Sequence, residues 1–341
     1  MSIQQMFLGV GAGGINPRDY FDVKLYTGNS GTNAQTGLGF EPDFLWLKRR
    51  NGLNAHALFD QIRGVTKALE SSTISADKTN DPAIGSFDSN GFTLTGSTNQ
   101  TNASSQSYVA WCWNAGGSTV SNTDGSITSS VRANPSAGFS IVSYTGVGNI
   151  VSTVGTGLNA VPSLIMVKDR DEVNDWAVYH SGIGATKDLC LNSNGAAETR
   201  LMWNNTEPTS SVFTIGAGNN SDYRNRVNDT NDYIAYCWSE VAGYSKFGTY
   251  EGNNSTDGPE VDVGFQPTFV MIKNIDYSGT DWVIYDTARD TSNPSTAELY
   301  PDTASAEVSS GPINLLSTGF KQISQHTHLN KTYTYLYAAF A

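Results

Sequence analysis

The chain arrives three times at the same strand. Tyr108–Trp113 reads YVAWCW, Tyr233–Trp238 reads YIAYCW, and Tyr335–Phe340 reads YLYAAF. The leading tyrosines lie 125 and 102 residues apart. Solenoid and propeller repeats recur every roughly 20–50 residues, so this spacing reads as a small domain used three times, as beads rather than blades.

Other blocks keep the same order. Each unit opens on a strand that ends in glycine: FDVKLYTG from Phe21, FSIVSYTG from Phe139, and YSKFGTYEG from Tyr244. The first two alternate apolar and polar residues, the period of a half-exposed strand entering a turn. A second block aligns on Pro42, Pro162 and Pro267. Proline has no N–H for a sheet ladder and so marks a strand start. The apolar run that follows ends each time in lysine: Lys48, Lys168 and Lys273. A third block carries Trp176 and Trp282, with His56 in the first unit, and Asp60-x-x-Arg63 recurs as Asp286-x-x-Arg289.

The expected fold is therefore all-β: three tandem β-sandwich repeats of jelly-roll or concanavalin-like type, with short strands and polar turns. The divisions are an N-terminal attachment peptide (1–20), a first repeat (21–114), a linker (115–138), a second repeat (139–240) and a third (241–341). Gly, Ser, Thr and Asn crowd the stretch 115–138, although TDGSITSSV within it has the makings of a short strand. With so short a junction at 239–243, the second and third repeats should sit tightly together and the first should be the more mobile.

Composition narrows the function. The formal charge is −12, and the longest basic run is Lys48-Arg49-Arg50. Nucleic-acid binding is not expected, because a surface of this sign repels the phosphate backbone on which most of such affinity rests. No apolar run reaches the length of a membrane span, and the N-terminus lacks the basic region of a signal peptide. Of the three cysteines, Cys112 and Cys237 hold the place that Ala339 takes in the third repeat. That substitution pattern describes a small buried slot rather than a disulfide. Cys190 reads as another buried thiol.

A few residues have side chains that could carry chemistry. Glu260 and Asp262 share a strand face, but glycosidases divide acid and nucleophile roles between two set carboxylates. The other repeats have no acid there, so no catalytic residue is assigned. His326-Thr327-His328 would place two imidazoles on one side of a strand. On a three-fold axis such a pair would supply six metal ligands, but no further ligand accompanies it, so neither metal nor other cofactor is expected. The recurring Trp176, Trp282, Tyr179 and Tyr285 read as core. Tyr223, in AGNNSDYRNRVNDTND, and Tyr277, in NIDYSGTD, do not recur and lie in polar loops, where recognition usually resides. They are the ligand-binding candidates. Asp60/Arg63 and Asp286/Arg289 read as local turn-closing pairs of little individual worth.

The blocks GFSIVSYTG, YIAYCWSEVAGYSKFGTYEGN, DGPEVDVGFQP and DWVIYDTARDTSNP resemble a repeat domain of fibre-like structural proteins from marine tailed phages, cyanophages and pelagiphages among them. MSIQQMFLGVGAGG resembles the start of many such proteins, and SNTDGSITSSVRANPSAG a segment that often precedes the domain. The resemblance implies a virion structural protein without enzymatic activity, assembled in the host cytoplasm. It would be held to other virion proteins by its N-terminus and bind a host surface glycan or protein through lectin-like loops. By analogy it would be a homotrimer. A capsid decoration or tail-hub component is the alternative, and a glycan depolymerase the remote third.

Overall fold

The computed structural model describes residues 15–79, 83–216 and 225–341. They form an all-β protein of several sheets, with a short 3-10 turn at Pro17–Asp19 and no α-helix among the described residues. The expected attachment peptide falls mostly outside them. What is described of it packs down, with Ile15 and Tyr20 against the main core.

Each recurring YxxxxW-type strand is the inner strand of an antiparallel sheet. Ser107–Trp113 lies between Phe21–Thr27 and Phe44–Arg49, with Ala57–Asp60 beyond. Asp232–Trp238 lies between Phe139–Thr145 and Leu164–Asp169, with Ala177–His180 beyond. Thr334–Phe340 lies between Ser245–Glu251 and Phe269–Asn274, with Val283–Asp286 beyond. The registers correspond as well: Tyr26 pairs with Tyr108, Tyr144 with Tyr233 and Tyr250 with Tyr335. The rings of these pairs stack at 5.1, 5.2 and 5.1 Å.

A second sheet covers one face of each of these. Asn33–Thr36, Gly91–Leu94 and Ile84–Asp88 make the first, and Ser152–Gly155 with Val212–Ile215 the second. Glu260–Asp262, Gly319–Gln322, Val308–Leu316 and Ser295–Glu298 make the third. Side chains alternate across a strand, so one face of the inner strand turns to this cover. Ala110 and Cys112 meet Phe92 and Leu94, Ala235 and Cys237 meet Phe213 and Ile215, and Tyr337 and Ala339 meet Phe320 and Ile313.

The opposite faces all enter one common core. Val109, Trp111 and Trp113 lie there with Ile234, Tyr236 and Trp238, and with Leu336, Ala338 and Phe340. Rings from all three segments touch: Phe44 stacks on Tyr236 at 4.3 Å, Trp113 meets Trp238 at 6.0 Å, and Phe21 meets Phe340 at 5.4 Å. Burying this much aromatic area supplies most of the cohesion between segments.

Polar contacts between segments run in one rotational sense. Asp60, His180 and Asp286 hold the same ladder position, opposite Phe44, Leu164 and Phe269. Asp60 accepts from the Tyr236 hydroxyl at 2.8 Å, His180 Nε2 donates to the Tyr337 carbonyl at 3.1 Å, and Asp286 accepts from Trp111 Nε1 at 2.9 Å. First thus reaches second, second reaches third, and third returns to first.

Arg50 of the first segment holds Glu307 of the third at 2.7 and 2.8 Å, and Arg170 of the second holds Asp77 of the first at 3.0 Å. Within 115–138 there is strand, in part where TDGSITSSV suggested it. Val120–Asn122 and Ser129–Asn134 pair antiparallel and extend the sheet alongside Phe139–Thr145. Arg132 on that edge forms an ion pair with buried Asp43 of the first segment. The apolar Val131, in register with Val142, gives the added strand a buried face that a solvated linker would lack.

Candidate functional site

An open groove of 540 Å³ lies at one end of the third segment, lined by Asn254, Tyr277, Gly279, His326, Thr327, His328 and Lys331–Tyr333. It gathers three loops that are remote in sequence. The recurring strand positions one of them: the Tyr335 hydroxyl donates to the Thr327 carbonyl at 2.9 Å and accepts the Lys331 N–H at 2.8 Å. Buried Asn330 fastens this loop to its neighbour, its amide donating to Asn253 Oδ1, the Ser255 carbonyl and the Ser324 carbonyl at 3.1, 2.7 and 3.0 Å. Asn102 and Asn228 do similar work in the other segments.

Of the residues singled out in the sequence, Tyr277, His326 and His328 meet in this groove. Tyr223 lies outside the described residues. Tyr277 is 47% exposed and stacks on Tyr333 with ring centres 5.3 Å apart, so one aromatic plate of two rings borders the opening.

The histidines do not sit side by side on a strand. They occupy a turn in which Leu329 and Asn330 donate their N–H groups to the His326 carbonyl at 3.0 and 2.8 Å. The turn forms because Asn330 and Tyr335 satisfy backbone and side-chain groups that a ladder would otherwise have to satisfy. The rings meet edge to face, 4.8 Å apart. Both Nδ1 atoms are buried without a hydrogen-bond partner, and His326 Nε2 lies 3.4 Å from Ser310 Oγ. Burial, reinforced by His326 beside it, pushes His328 down to about 4, so its ring is neutral at pH 7. No group of three or more His, Cys, Asp or Glu suited to a metal occurs among the described residues. Two imidazoles fill half of a tetrahedral shell.

Lys331, Thr332, Tyr333 and Asn254 escaped the sequence reading. Non-recurring aromatics were its criterion, and by that criterion Tyr333 in NKTYTYLY was discoverable. The three recurrent lysines, expected only as the ends of apolar runs, turn out to be interior. All three are buried and bonded chiefly to carbonyls: Lys48 to Asn54 and Ala304 at 2.7 and 3.2 Å, Lys168 to Ile74 at 3.2 Å, and Lys273 to Thr280 at 2.7 Å. Burial lowers each to about 8. Lys273 thereby braces the loop that carries Tyr277.

The other candidates lie away from the groove. Glu260 and Asp262 are exposed on a short edge strand, and Asp262 accepts the Gly264 N–H at 2.9 Å. Trp176 and Trp282 are fully buried, donating to the Glu70 and Cys190 carbonyls of the neighbouring segments at 2.9 and 3.1 Å. Cys112 and Cys237 are free and buried, whereas Cys190 is only half-buried, a correction to its reading as a sealed thiol. It accepts from Arg226 Nη1 at 3.3 Å.

The Asp–Arg pairs are corrected more sharply. Arg63 Nε bonds Asp60 at 2.6 Å and Arg289 Nε bonds Asp286 at 2.5 Å, with no side-chain exposure in either pair. Their arginines also bond the Leu58 and Ile284 carbonyls at 3.0 and 2.8 Å. They close turns locally and tie segments together at the same time.

No curated protein matches the chain, and no solved structure does. Residues 16–341 match a domain of unknown function, DUF7483. That match runs unbroken across all three sets of sheets and their common core, and the chain belongs to the DUF7483 family.

Proposed function

We propose that the chain is three β-sandwich modules, residues 21–114, 139–240 and 241–341, joined around one axis. On this reading it is a non-enzymatic structural protein of a tailed-phage virion that attaches to the host surface through loops of the third module. The groove bordered by Tyr277 and Tyr333 carries the proposal. It is open, polar and built from loops on a rigid scaffold, the usual setting of recognition. The phage setting rests on the resemblance of GFSIVSYTG, DWVIYDTARDTSNP and their companion blocks. On this reading one chain brings three modules together, and by analogy with fibre proteins the chain would assemble further as a homotrimer.

Two measurements test the reading. Antibody against the chain should label a tail appendage of intact virions, and label confined to the head would favour a decoration role. The labelled full chain should bind host cells, and Tyr277→Ala should abolish that binding. Unchanged binding would remove the groove from the proposal.

A further inference from the structure

The groove has a charge character opposite to that of the chain around it. The protein carries −12, yet none of the lining residues is a carboxylate and one, Lys331, is an ammonium. Lys331 Nζ is held at the rim by Asn254 Oδ1 at 2.9 Å, and no ion pair to it occurs among the described residues. The nearby acid Asp276 accepts the Thr334 N–H at 2.7 Å, and Asp281 acts on the half-buried His328.

An ammonium held by a neutral amide keeps its remaining N–H donors for a ligand, and charge-assisted bonds are the strong ones. The stacked Tyr277–Tyr333 pair supplies an apolar surface with polar edges, suited to a ring that is apolar on its face and polar around its rim. Thr327, Thr332 and Asn254 place hydroxyl and amide groups in the same lining. A flat apolar ligand would leave these polar groups unpaired, and a cation would meet like charge.

We infer that this groove binds an acidic sugar unit, a glycan residue bearing a carboxylate, with the carboxylate on Lys331 and the sugar face on the tyrosine plate. The inference deepens the attachment reading and rests on it.

Titration of the full chain with trigalacturonate, its methyl ester and sialyllactose tests it. The ester keeps the ring and removes the charge. Trigalacturonate or sialyllactose should bind, and trigalacturonate, where it is the ligand, should bind about tenfold more tightly than its ester. Lys331→Gln should erase the preference for acid over ester, or for sialyllactose over lactose, and Tyr277→Ala should weaken acidic and neutral forms alike. Equal affinity for acidic and neutral forms, or no binding of either acid, overturns the inference. If Tyr277-dependent host-cell binding persists in either case, the attachment reading stands without it. If cell binding is also lacking, both fall.

Discussion

Arg63 donates through Nη2 to the Tyr236 hydroxyl of the neighbouring segment at 3.1 Å. That hydroxyl donates in turn to Asp60 Oδ2 at 2.8 Å. Three groups brought out of water thus satisfy one another across a seam. Removing one partner of a buried ion pair typically costs about 3–5 kcal/mol, because the other charge is stranded. Arg63→Ala should lower unfolding free energy by that order. Tyr236→Phe, which leaves the ion pair whole, should cost about 1–2 kcal/mol. Urea unfolding of the two variants checks the order, and near-equal losses would show that the seam is not what Arg63 supports.

The common core makes the three sets of sheets one cooperative body. Trp113 contacts Phe21 and Phe44 of its own segment, Phe139 and Trp238 of the second, and Phe269 and Phe340 of the third. Trp113→Ala should cost about 3–5 kcal/mol and shift the entire unfolding curve. Calorimetry of the parent chain should give a single transition. A variant that melts only its first segment would contradict the shared core.

The three lysines set a pH window. Each is lowered from its ordinary 10.5 to about 8 by burial. Between those values the unfolded chain holds protons that the folded chain has released, so stability rises with pH. The cost of burying the ammonium is present in full below pH 8 and relieved above it. Cys112 and Cys237 are held well above the ordinary thiol value of 9 by burial, so above pH 9 they act in the opposite direction. The melting temperature should climb between pH 8 and 9, and Lys168→Met should reduce that slope by about one third. A flat or falling profile over this interval would contradict the burial of the lysines.

Cys112 and Cys237 should tolerate alanine, since Ala339 fills the matching place. Each replacement should cost about 1 kcal/mol, the small-cavity range, and serine should cost more by burying a hydroxyl. A thiol reagent should modify Cys190 in the native state and reach the other two only on unfolding. Rapid native labelling of Cys112 would refute its placement.

Much of this was legible in the chain. Pro42, Pro162 and Pro267, expected to begin strands, stand two residues before them, and the tyrosines of the recurring strand marked inner strands, because turn chemistry and burial act locally. The common core was not legible. In YVAWCW every residue past the first two positions is apolar or small, so the alternation that would separate a face turned to its own cover from a face turned to a neighbour is masked. Arg63 and Asp60 looked like a surface turn for a related reason: three residues of spacing explain the turn, and nothing local announces Tyr236. For the groove, Tyr277 could be named from its loop. Its partnership with Asn254 and Lys331 depends on loops brought together only by Asn330 and Tyr335.

A homotrimer can fill its axis only with three copies of the same side chain. In this chain the matching places in the common core hold Trp111, Tyr236 and Ala338. On the three-module reading, fusion into one polypeptide frees these positions to differ. A large ring, a smaller ring with a hydroxyl, and a methyl group divide space that identical subunits would have to share equally. The same freedom lets Trp111 and Tyr236 each donate to a different acid, Asp286 and Asp60. It also lets the loops at the module ends line grooves of different chemistry, Tyr277, His326 and Lys331 in one and Asn174, Asp175 and Arg226 in another.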